Sequence, residues 1–204
     1  MSERENRTWQ VAEHTWRLAA EEVAKLCDRV DPDAFDECVR MIGECSGRVI
    51  ASGVGTSAAA ARKIAHTLSC VERPAFFLSP ADAVHGALGA VQPGDIAILI
   101  SKGGNTAELL NLIPSLKAKS VPIIAVTENG SSMLASECNQ LLRVWVDREA
   151  DDLNMLATTS TLAVIALFDA VSIAVMKRTR FTKEQFRIIH PGGAVGERLL
   201  EGDR

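Results

Sequence analysis

Five short apolar runs, at Arg48 to Ser52, Ala75 to Leu78, Asp95 to Ile100, Pro122 to Thr127 and Leu141 to Val146, are mostly separated by stretches with helical spacing. Runs without polar alternation suit strands covered on both faces, so the alternation predicts an α/β fold with a parallel sheet between helical layers. Ahead of the first run, Trp9 to Val30 reads as an amphipathic helix whose tryptophans hint at a partner surface. Asp31-Pro32 opens a second helix that reaches about Cys45. Ser79-Pro80-Ala81-Asp82 and Asn105-Thr106-Ala107-Glu108 are capping-box patterns, the latter with Glu108 at the third helical position. Thr158 to Lys177 reads as a long buried helix, and Thr182-Lys183-Glu184-Gln185 caps a shorter one that ends before His190. With no repeat or linker, one domain is expected over 1–204: N-terminal helices 9–45, core 47–178 and C-terminal helices 182–200.

Two of the strand ends carry the chemistry. Val49 to Ser57 and Ile96 to Thr106 each run from apolar residues into a loop of small residues, Gly53-Val54-Gly55-Thr56-Ser57 and Ser101-Lys102-Gly103-Gly104-Asn105-Thr106. A loop of this kind ahead of a helix points backbone N–H groups and hydroxyls at one spot, which suits a phosphate. Neither loop has the spacing of a nucleotide fingerprint, so a nucleotide is not the expected ligand. In an open parallel sheet both loops lie at the carboxyl ends of the strands, where ligands bind. There Gly55, Thr56, Ser57, Ser101, Gly103 and Thr106 would cradle the anion and Lys102 would add charge.

Glu108 could face that ligand as a general base, although a glutamate there also serves a cap. Glu149 lies in the polar run Asp147 to Asp152, and by itself reads as a solvated loop charge. Of the four histidines, His14 and His66 fall in helical patterns and read as structural, whereas His85 and His190 fall in small-residue stretches that can present an imidazole. No cluster has metal-ligand spacing, so neither metal nor cofactor is expected.

The bulk properties narrow the class. A charge of −4, from 22 basic and 26 acidic residues without long runs, leaves no footprint for nucleic acid. No stretch reads as the roughly 18 to 20 apolar residues of a membrane span. Five cysteines without a C-x-x-C pair read as buried thiols of a reducing compartment, so the cytoplasm is the expected location.

Together, Gly53-x-Gly55-x-Ser57, Phe76-Phe77-Leu78-x-Pro80-x-x-Ala83-x-His85-Gly86, Ser101-x-x-Gly104-x-Thr106-x-Glu108-Leu109, Arg148-Glu149-Ala150, Ala157-Thr158-Thr159-Ser160-Thr161 and His190-Pro191-Gly192-Gly193-Ala194-Val195-Gly196 resemble one family over about residues 12 to 200. It is the sugar isomerase (SIS) domain of arabinose 5-phosphate isomerases. The resemblance implies a five-stranded parallel sheet in a flavodoxin-like three-layer sandwich, a homotetramer with sites built at subunit contacts, and aldose–ketose phosphate isomerisation through an enediol. It also implies that Glu108, Glu149, His190 and His85 are catalytic-site residues and that Ser160 contributes to the substrate site.

Departures accompany the resemblance. Thr56 stands where the family has a lysine, the second loop reads Ser101-Lys102-Gly103-Gly104-Asn105 in place of Ser-x-Ser-Gly-Glu, and Ala87 replaces an acidic residue. These imply a changed sugar pocket. The family's C-terminal CBS modules are not expected, since the sequence stops at Arg204. The first functional expectation is a phosphosugar isomerase; the alternative is a non-catalytic SIS module that senses a phosphosugar. A lyase or epimerase on the same cradle is a third reading.

Overall fold

The computed structural model describes residues 3–192. Its chain begins with α1 (Glu3–Ala24), α2 (Leu26–Arg29) and α3 (Pro32–Glu44), then enters the sheet layer. There β1 (Val49–Gly53), α4 (Thr56–Ser69), β2 (Ala75–Phe77), α5 (Pro80–Ala83) and a 3-10 turn at Ala87–Ala90 precede β3 (Ile96–Ile100). Next come α6 (Ala107–Leu110), α7 (Ile113–Ala118), β4 (Ile123–Thr127), α8 (Met133–Glu137) and β5 (Gln140–Arg143). The helices α9 (Thr159–Thr179) and α10 (Lys183–Ile189) follow. The strands pair in the order β2-β1-β3-β4-β5, all parallel.

Strands β1, β3 and β4 are buried along their whole length, which is why their sequences carry no polar alternation. The two-residue side-chain period then divides them between two cores. Val49, Ala51, Ile98, Ile100 and Val126 face α3, α4 and α9, while Ile50, Leu99, Ile123 and Ala125 face α5 to α8. Each fully buried Ile or Leu contributes roughly 1.5 to 3 kcal/mol through desolvation, so the paired cores hold the strand ends rigidly in register. Gly53 lies level with Ile100 across β1 and β3. The two small-residue loops therefore leave the sheet side by side.

The long helix α9 lies against α1, α3 and α4, with Leu167, Phe168, Val171 and Val175 buried. By length and composition it is apolar enough to cross a membrane, contrary to the expectation that no stretch would be. Its buried face shows what that apolarity serves here. The predicted first helix breaks at Lys25, dividing α1 from α2. The last strand is shorter than its apolar run, because Val144 already leaves the ladder as a loop residue bonded to Thr127. Of the cysteines only Cys38 is buried, and burial pushes its thiol up to about 12; Cys27 is exposed and the other three are intermediate. The family-type terminal motif beyond Gly192, and the brief helix expected near 200, lie outside the described residues.

Asp31 caps α3 by accepting from Asp33 N–H (2.9 Å) and Ala34 N–H (3.2 Å), with Pro32 at the first position. Thr182 and Gln185 form a full reciprocal capping box at α10. Asn105 and Glu108 do not. The N-cap of α6 is Thr106, which makes no side-chain cap, Glu108 is the second helical residue, and the Asn105 side-chain amide oxygen accepts instead from Met133 N–H (3.0 Å). Asn105 thus ties the second loop to the start of α8, and Glu108 is left free of a capping duty.

Candidate functional site

At the carboxyl ends of β1, β3 and β4 lies a shallow open cleft. Thr56 and Ser57 line it from the first loop, Lys102 from the second, and Ser160 and Thr161 from the start of α9. The two loops thus converge on one spot. The first loop can make its turn because position 53 is glycine: a Cβ there would lie 2.7 Å from the backbone of Ser57. Gly55 is the N-cap of α4 and supplies no side-chain acceptor, so the first-turn amides of Thr56 and Ser57 face outward as open donors.

The second loop is braced from inside. Ser101 is buried, its hydroxyl bonded to that of Thr106 (2.7 Å) and accepting from Gly104 N–H (3.0 Å). Gly104 has φ +72°, and a Cβ there would overlap the Ser132 hydroxyl. Thr127 donates to the Lys102 carbonyl (2.8 Å) and Glu128 N–H to the same oxygen (3.1 Å). Lys102 and Gly103 form the exposed tip. The hydroxyls of Ser101 and Thr106 are spent on loop shape in this structure, and neither lines the cleft.

Glu149 is not a solvated loop charge. Its side chain is 0% exposed and receives four donors: Lys102 Nζ (2.9 Å), the Ser160 hydroxyl, Thr158 N–H (3.0 Å) and Ser160 N–H (3.2 Å). Its own backbone N–H is held by Asn154 (2.6 Å). Burial would raise the carboxyl, but the hydrogen bonds from Ser160, Lys102 and the backbone amides outweigh it and hold the group down to about 2. The carboxylate therefore closes the N-terminus of α9 and anchors Lys102, both favourable to a negative charge.

Glu108 presents the opposite case: it is exposed and makes no hydrogen bond among the described residues. His85 is exposed just past α5, an element packed beside α6, and neither it nor Glu108 is among the residues that line the cleft. His190 stacks on Phe186, with ring centroids 4.2 Å apart, and its Nδ1 lies 3.1 Å from the Phe186 carbonyl. Gln185 of the same helix bonds to Glu72, at the amino end of β2, and no described contact joins His190 to the cleft. Thr127, Glu128 and Thr161 also line the cleft and were not singled out from sequence. Thr127-Glu128 ends an apolar run, and the rule that ligands gather at strand carboxyl ends was the signal available for them.

A second network fastens the N-terminal helices to the chain leading into Glu149. Buried Glu22 pairs with Lys25 (2.5 Å) and Arg29 (3.0 Å), and both cations also hold Asp147 at 2.7 Å. The Asp147 carboxyl is held down to about 2 by Lys25 and Arg29. Asp151 then accepts from the N–H groups of Leu153, Met155 and Leu156, which leaves those three apolar side chains exposed beside the site.

Known proteins share this arrangement. A family model described as the SIS domain matches residues 44–174. Arabinose 5-phosphate isomerase KpsF of Escherichia coli is 41% identical over 184 residues, covering 89% of this chain and 58% of the relative. Arabinose 5-phosphate isomerase KdsD of Francisella tularensis is 38% identical over 192 residues, covering 93% and 58%. The chain thus spans just over half the length of these curated relatives. An E. coli CFT073 protein solved in complex with a sugar-phosphate ligand aligns with a TM-score of 0.87 at 33% identity, covering 94% of this chain and 100% of that one. A Listeria monocytogenes crystal structure aligns at 0.91 and 48% identity, with the same coverages. On the matched core, the strand order and the paired loops, the chain belongs to the SIS-domain family.

Proposed function

We propose that the chain is an aldose–ketose isomerase of sugar phosphates, of the arabinose 5-phosphate/ribulose 5-phosphate type, working through an enediol. The observation that carries this reading is the meeting of both small-residue loops and the α9 start in one cleft. The open amides of Thr56 and Ser57 and the Lys102 ammonium suit a phosphate. Relatives named for arabinose 5-phosphate isomerisation, and one solved with a sugar phosphate bound, support the substrate class.

Glu108 is the proposed base. An exposed carboxylate with unoccupied lone pairs can carry a proton between adjacent carbons, and positioned bases of this kind contribute about 10² to 10⁴ in rate. His85 and His190 assist at the sugar. His190 reaches the site only from a neighbouring copy, in the homotetramer that the family resemblance implies. The Trp9–Trp16 pair and the Leu153–Leu156 ledge are exposed apolar surfaces that such an assembly would cover. The protein acts in the cytoplasm, without metal or cofactor.

Incubation with sugar phosphates in deuterated water tests the reading. Turnover with deuterium entering at the carbon beside the carbonyl is expected, and Glu108→Gln should lower kcat by about 10³-fold while KM stays within a factor of three. Tight sugar phosphate binding with no exchange would instead mark a sensor module.

A further inference from the structure

Lys102, which lines the cleft, is held by buried Glu149 from a different loop, and their contact bears on how an anion is held. Lys102 is the single cationic side chain among the described residues lining the cleft; Glu128 is the single acidic one. The Lys102 side chain is 46% exposed, with one ammonium N–H committed to Glu149 Oε1. An ammonium has three donors, so two remain for a ligand on a side chain that lines the cleft. Glu149 shows the reverse balance. A carboxylate offers about four lone-pair sites, and here Oε1 takes Lys102 and the Ser160 hydroxyl while Oε2 takes Thr158 N–H and Ser160 N–H. No site is left over to receive a proton from carbon without first breaking one of these bonds. Side chains that immobilise a long lysine remove part of the ordering cost a ligand would otherwise meet.

We infer that Lys102 is the specificity-determining cation for the phosphate group in this cleft, and that Glu149 is a positioning residue acting through Lys102 rather than a group that transfers protons. The inference rests on the phosphosugar reading above but concerns a step separable from it, the capture of the anion. Ser160 takes part as the hydroxyl that shares Oε1 with the ammonium, so the three side chains form one unit. Glu149→Gln removes the negative charge and leaves one acceptor oxygen for two pairs of donors, and so weakens the anchor of Lys102.

The test uses the full chain and two probes, inorganic phosphate and arabinose 5-phosphate, with affinities from calorimetry and kcat and KM where turnover is seen. Lys102→Met should weaken phosphate binding at least tenfold, and Lys102→Arg should recover part of it. Glu149→Gln should weaken phosphate about threefold in the presence of Lys102, have less than a twofold effect in the Lys102→Met background, and keep kcat within tenfold. A loss under twofold in Lys102→Met overturns the inference, as does tighter phosphate binding in Glu149→Gln. So does a kcat loss beyond a thousandfold in Glu149→Gln at unchanged KM, which would make it the base. Should Glu149→Gln fail to fold, Ser160→Ala in both backgrounds answers the coupling question with the same thresholds. Absence of isomerase activity in the wild-type chain would defeat the functional reading alone, because the inorganic phosphate measurements still decide the role of Lys102.

Discussion

Two acidic side chains follow strand ends of the sheet, Glu108 on α6 and Glu149 in the loop ahead of α9, yet the two live in opposite surroundings. Glu108 is exposed and without a hydrogen bond among the described residues, whereas Glu149 is fully buried and accepts from four donors. The lesson is that adjacency to a site does not assign a role. A carboxylate with free lone pairs can do proton transfer, and one saturated by donors is a structural anion that orders its neighbours.

The largest effect expected from this contrast is on stability. Glu149→Ala leaves Lys102 without its anchor and strips the α9 amides of their acceptor, so a loss of about 3 to 4 kcal/mol is expected in urea unfolding. Glu108→Ala should stay within about 0.5 kcal/mol, as exposed substitutions do. Equal losses would abolish the distinction between the two carboxylates.

The same division between braced and free residues recurs inside the second loop. Gly104→Ala puts a Cβ into Ser132 at a left-handed φ, and about 2 kcal/mol of destabilisation is expected, whereas Gly103, with nothing within 4 Å, should tolerate alanine nearly freely. Melting the two variants side by side checks this. A Gly103→Ala loss as large as that of Gly104→Ala would mean the tip is as constrained as its base.

The same contrast carries a pH dependence in acid. Because the folded chain holds Glu149 down to about 2 from an ordinary 4.5, the unfolded chain binds the proton first. The stabilisation from Glu149 is therefore complete above pH 4.5 and is lost as pH falls toward 2. Glu149→Gln should flatten the stability curve in that window, leaving a residual slope from Asp147, and lower stability by a constant amount above it. An unaltered slope would deny Glu149 its buried ionised state.

The sheet was legible in the chain because burial on both faces demands continuous apolar runs, and Val49 to Ser52 or Ile96 to Ile100 can satisfy little else. The two loops were legible for a similar local reason, since Gly53 and Gly104 are required by close approach and by φ. Local reading failed at Asn105 and Glu149. The spacing at Asn105 fits a capping box, but its side-chain amide oxygen is taken by Met133 N–H, 28 residues away.

What the sequence determined by itself was the layered α/β architecture and the position of two anion-suited loops, because strand period, helix caps and glycine geometry act over a few residues. What only the tertiary structure decided was the state of each charge. Lys102 and Glu149 are 47 residues apart, Arg29 and Asp147 118 apart, and such pairs exist only once the sheet has set its register. Burial, lone-pair occupancy and electrostatic shift are properties of that assembled neighbourhood, so no local pattern carries them.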